Sequence, residues 1–105
     1  MDIIRIGSTN TTTLKGLFDR VDLQYEEGAT VTASFFDPSG AEITDAQNIT
    51  MAQVSGTSGK STVYRAGHAA DLFEDVAEGE GSRLIVATDT DGNVRRFVDP
   101  VRFEN

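Results

Sequence analysis

The 105 residues, 11.3 kDa, suffice for one domain with a modest core and are too few for two. Nine Lys and Arg against 17 Asp and Glu leave a net charge of −8, which repels phosphate backbones and anionic membranes and argues against nucleic acid or membrane as partners. With no Cys and a single His, His68, disulfide frameworks, zinc ribbons, iron–sulfur clusters and thiol nucleophiles are excluded.

The first residues, Met1-Asp2-Ile3-Ile4-Arg5-Ile6, lack the basic end and long apolar region of a secretory signal. No apolar run approaches the roughly 20 residues that cross a bilayer. The expectation is one domain over 1–105, with 1–10 set apart as an N-terminal arm. Asp2–Ile6 is apolar and β-branched, and two arrangements suit it. It pairs with its own sheet as a first strand, or it reaches a neighbouring subunit, with Ile3, Ile4 and Ile6 as the contact residues. Ser8–Thr13 is either a flexible link or an edge strand.

A strand is expected over Thr12–Phe18, with Leu14, Gly16 and Phe18 on one face. The clearest alternation is Ala29-Thr30-Val31-Thr32-Ala33-Ser34-Phe35-Phe36, where Ala29, Val31, Ala33 and Phe35 share one side. It stops at Asp37-Pro38-Ser39-Gly40, with Pro and Gly where a turn accepts them. After a short piece at Ala41–Ile43, strands follow over Ile49–Val54 and Ser61–Ala66. His68–Val76 places Leu72, Phe73 and Val76 at helical spacing, at most two turns long, before Glu78-Gly79-Glu80-Gly81. Arg83–Thr88 and Val94–Val98 flank Asp89-Thr90-Asp91-Gly92-Asn93, a hairpin signal because Gly takes a positive φ without a steric cost. Pro100 donates no amide hydrogen and is expected beyond the ladder or at a bulge. The predicted fold is all-β: an antiparallel Ig-like β-sandwich of about seven strands with one short helical connection near 69–76. Its predicted core holds Val31, Ala33, Phe35, Met51, Leu72, Ile85, Ala87 and Phe97.

No motif carries a complete chemistry. Val54–Thr62 imitates a phosphate-binding loop around Lys60, but its first required Gly is Val54, and a strand rather than a helix follows. Asp89–Asn93 opens like a calcium loop, yet Val94 and Pro100 stand where Gly and a bidentate Glu are needed. Asp71, Glu74, Asp75, Glu78 and Glu80 have no aromatic sugar platform beside them. His68 has no partner for a metal or a triad in sequence and is read as a capping or turn residue. Arg95 and Arg96 fall on opposite strand faces, so with Arg102 they make no continuous basic patch. No catalytic, cofactor-binding or metal residue is assigned.

Gly28–Asp37 with Gly40, then Ile49-Thr50-Met51, Tyr64-Arg65-Ala66-Gly67 and Ala70-Asp71-Leu72, resemble segments of the small Ig-like β-sandwich proteins encoded in tailed-phage structural gene clusters. Leu84–Thr88, Asp91-Gly92 and Pro100-Val101-Arg102-Phe103 are similar to the closing hairpin and tail of that group. The resemblance implies a non-enzymatic virion protein at the capsid surface, neck or tail, made in the bacterial cytoplasm. Its partners would be itself or other virion structural proteins, with no nucleotide and no cofactor. The alternative function is a carbohydrate-binding or adhesive module, which would need Tyr25, Tyr64 or a Phe as an exposed platform.

Overall fold

The computed structural model describes residues 1–15, 18–19, 24–25 and 28–105. The strands are β1 (Asp2–Arg5), β2 (Asn10–Lys15), β3 (Phe18–Asp19), β4 (Gln24–Tyr25), β5 (Thr30–Phe36), β6 (Ile49–Gln53), β7 (Val63–His68), β8 (Gly79–Thr88) and β9 (Val94–Glu104). The fold is all-β. Seven strands form one sheet in the order β1-β9-β8-β5-β6-β7-β2, and β3 and β4 pair separately. Every pairing in the large sheet is antiparallel except β1 with β9, which is parallel.

β5 sits near the middle because its alternation leaves one fully apolar face: Val31, Ala33 and Phe35 are all buried. Its end runs into a turn held by Asp37, whose Oδ1 accepts hydrogen bonds from Ser39 N, Ser39 Oγ and Ala41 N. The Ser39 hydroxyl foremost holds this exposed carboxyl below its ordinary value. β6 turns the sheet. Its first residues pair with β5 (Ala33↔Ile49, Val31↔Met51) and its last with β7 (Ala52↔Arg65, Gln53↔Tyr64). A strand that passes between two ladders in this way makes a corner. The sheet therefore curls until its two outer strands, β1 and β2, which follow one another in sequence, lie along one seam.

The large sheet is mixed rather than wholly antiparallel as expected, and five further expectations change. No helix forms at 69–76. The segment makes successive four-residue turns instead, with Leu72 N donating to Ala69 O, Glu74 N to Asp71 O and Val76 N to Phe73 O. So short a piece cannot recover the cost of helix nucleation, and burial of the Phe73 ring fixes it in place. Leu72 is only partly buried. β8 begins at Gly79, four residues before the expected start at Arg83, because Phe103 lies over this stretch: a Cβ on Gly81 would stand 2.7 Å from the Phe103 ring and 2.3 Å from Phe36 O. Pro100 is neither beyond the ladder nor at a bulge; it lies within β9 opposite Ser82 in an unbroken register. Phe97 is 39% exposed rather than in the core, since among the described residues no strand pairs with the outer side of β9 at that level. The other six predicted core residues are buried.

At one end of the core Phe35, His68 and Phe73 meet edge to face, and Phe103 packs tilted against Phe73. Phe35 and Phe73 are 5.0 Å apart between centroids, Phe35 and His68 5.4 Å, His68 and Phe73 5.6 Å, and Phe73 and Phe103 5.7 Å. Such pairs contribute beyond the area they bury.

Candidate functional site

Two regions gather chemically capable groups: the seam between β1 and β2, and the free edge of β9. The seam is closed at one end by a side chain acting as a strand. Asn10 Oδ1 accepts from Arg5 N at 2.9 Å, and Asn10 Nδ2 donates to Arg5 O at 3.0 Å and Ser8 O at 2.9 Å. The carboxamide thus satisfies the Arg5 backbone as a neighbouring strand's peptide would. Gly7, with φ +77°, permits the tight return between the strands.

Beyond this closure lies a cleft of about 270 Å³ lined by Asp2, Asn10, Thr12, His68 and Arg83 among others. His68 ends β7 and points inward, continuing the buried alternation of Tyr64 and Ala66; it is not a cap. That period of two was visible in the sequence. Its Nε2 and Thr12 Oγ1 share a hydrogen bond of 2.7 Å. Burial, followed by the nearby Arg83 charge, holds the imidazole below its ordinary pKa. A hydroxyl beside an imidazole is the start of a nucleophile–base pair, but the base needs a third group on its other nitrogen. His68 Nδ1 meets no hydrogen-bonding group among the described residues. The shared hydrogen bond joins β2 to β7.

Arg83 is the cation the sequence reading missed. It lies on the inner face of β8 with Ile85 and Ala87, where period two puts it, and its side chain is almost wholly buried. Asp99, directly opposite on β9, receives Nε at 3.1 Å and also pairs with Nη2, while Asp2 on β1 pairs with Nη1 at 2.9 Å. Burial alone would lower the guanidinium pKa; the bonds to Asp99 and Asp2 outweigh it and raise it. Asp99 follows from the register of the β8–β9 hairpin, whereas Asp2 comes from the far end of the chain, where no local signal announced it.

The motif residues fall where turns need them. Asp89 Oδ1 accepts from Asp91 N and Asn93 N, which commits that carboxylate to the β8–β9 hairpin. Lys60 is exposed on a single 3₁₀ turn, Gly59–Ser61, that leads into a strand. Among the described residues, no group of three His, Cys, Asp or Glu is placed to hold a metal ion. Tyr64 is buried, its hydroxyl accepting from Ala29 N, so its ring is no sugar platform. The Tyr25 side chain lies outside the described residues.

Of the three isoleucines named for contact, Ile4 is buried in the core, Ile6 packs against it, and Ile3 is half exposed. β1 lies parallel to β9 of its own chain, Asp2 opposite Val101 and Arg5 opposite Glu104. β1 stops there, and among the described residues no strand pairs with the outer side of Val94–Asp99 of β9. Among the described residues the exposed large apolar side chains are Met1, Ile3, Val94, Phe97 and Val98. All belong to β9, to β1 or to the residue before it. No family model, curated protein or solved structure matches this chain.

Proposed function

We propose that the chain is a non-enzymatic structural protein of a phage or prophage virion, an Ig-like β module that works through protein–protein assembly. The observation that carries the assembly part is the concentration of exposed apolar side chains along β9 and β1, beside a length of strand with no outer neighbour among the described residues. Edge strands invite pairing unless something blunts them, and exposed apolar groups gathered in one place mark contact surfaces. The virion setting rests on the resemblance of Gly28–Asp37, Tyr64–Gly67 and Pro100–Phe103 to the phage group. Virion proteins act by symmetric repetition, so a modest contact multiplied over many copies suffices.

The adhesive alternative loses one of its two tyrosine platforms with the burial of Tyr64. Mass spectrometry of particles purified from cells carrying the gene tests the proposal. The chain is expected at a fixed ratio to the capsid protein in wild type, and depleted when Val98→Asp places a charge on the exposed edge. Absence from every purified particle refutes it.

A further inference from the structure

We infer that the free edge of β9 is completed by the same edge of a second copy of this chain, antiparallel about a two-fold axis at Phe97. This rests on the assembly proposal only in taking β9 as a contact surface. The backbone sets the first condition. Asn93 O accepts from Asp89 N across the hairpin, so odd-numbered residues of β9 turn toward β8. At the other end Glu104 O accepts from Ile6 N, so even-numbered residues turn away. The register between these points has no bulge. Val94, Arg96 and Val98 therefore present their N–H and C=O groups to the open side.

The side chains then choose among the registers that an antiparallel pair of β9 edges allows. A two-fold at Arg95 or at Arg96 sets that arginine against itself, and like charges directly opposite are destabilising. A two-fold at Val98 drives Arg95 against Val101, a position already covered by β1. A two-fold at Phe97 sets Phe97 against Phe97, Arg96 against Val98, and Arg95 against Asp99. All three pairings are favourable or neutral, and about four new ladder bonds form between Arg96 and Val98 of the two copies.

The apolar groups at the centre of this register meet solvent. Phe97 is 39% exposed and Val98 73%. Asp99, already bound to Arg83, still has 39% of its side chain exposed and acceptor capacity to spare. The Arg95 guanidinium carbon lies 5.9 Å from the Phe97 ring centroid, so both side chains arrive together. Pro100, with no N–H to offer, ends the new ladder where β1 begins the old one. A joint of this size belongs to the weak class.

Cysteine cross-linking reads the register directly, because the chain has no cysteine of its own. In a non-hydrogen-bonded antiparallel pair the Cα atoms are about 4.5 Å apart, within disulfide reach. Phe97→Cys should give disulfide dimers under mild oxidation. Arg95→Cys and Asp99→Cys, each roughly 13 Å from its own copy, should not, while the two mixed together should cross-link to one another. Wild-type protein in sedimentation velocity should pass from monomer to double mass as concentration rises. Cross-linking of Arg95→Cys to itself as fast as Phe97→Cys overturns the register. A wild type that stays monomeric, with no cross-link at Phe97→Cys, overturns the second copy as occupant; an acidic partner strand would then be the candidate. In that case incorporation into particles leaves the assembly proposal standing, whereas a dimer absent from particles refutes only that proposal.

Discussion

Phe73 offers the most informative perturbation, because its neighbour Leu72 provides the control. An amphipathic helix over 69–76 would bury Leu72, Phe73 and Val76 alike, and truncating any of them would cost a similar amount. In the structure only Phe73 is fully buried, against Phe35, His68 and Phe103, while Leu72 is partly exposed on a turn. Phe73→Ala removes a buried ring and three ring–ring contacts, a loss of about 3–5 kcal/mol. For a domain with total stability of about 5–15 kcal/mol, that is a large share. Leu72→Ala, at a site that solvent already reaches, should cost about 1 kcal/mol. Urea titrations followed by far-ultraviolet circular dichroism measure both; with a slope of about 1.5 kcal/mol per molar, the midpoint falls by about 2–3 M for Phe73→Ala and by under about 1 M for Leu72→Ala. Equal shifts for the two variants, or a loss below about 1 kcal/mol at Phe73, would refute the argument that this ring anchors the segment.

Gly81→Ala should destabilise by about 1–3 kcal/mol or abolish folding, because the new methyl meets the Phe36 carbonyl oxygen, which cannot swing aside; thermal melts check it. Removing acid from the Arg83 cluster should cost more than removing the arginine: Asp2→Ala with Asp99→Ala strands a buried guanidinium at about 3–5 kcal/mol, whereas Arg83→Met leaves two carboxylates that water can reach, and the reverse order in urea melts would be fatal to this account. His68, its pKa lowered by burial, makes stability fall with acid: below about pH 6.5 the unfolded chain takes up a proton that the folded one resists, and the loss continues until the pH reaches the lower folded pKa. His68→Phe should flatten that part of the profile in melts run between pH 7 and pH 5. Lys60→Ala should change stability by less than about 0.5 kcal/mol, and calorimetry should detect no ATP binding before or after the substitution.

Local chemistry set much of this structure. Period two in Val31-Thr32-Ala33-Ser34-Phe35 placed one face of β5 inward, and the same alternation carried Ile85 and Ala87 on β8. Asp37 and Asp89 each fold their turns through their own carboxylates, so those turns could be located from the residues alone. These features depend on neighbours a few positions away. Other features depend on which strands lie side by side. The Phe97 ring has the inward phase of its strand and still meets solvent, because its burial requires a strand outside β9 and β1 covers only Val101–Glu104. Arg83 could be placed on an inner face by period, but its survival there depends on Asp2 and Asp99, brought from β1 and β9 by the sheet order. The pattern at 69–76 fitted a helix and yields turns, since the aromatic cluster of Phe35, His68 and Phe103 takes up Phe73 at a point that no continuous helix was needed to reach. Sequence fixes dihedral preference and face through short-range sterics; the partner across an edge is decided by the closure of the whole sheet.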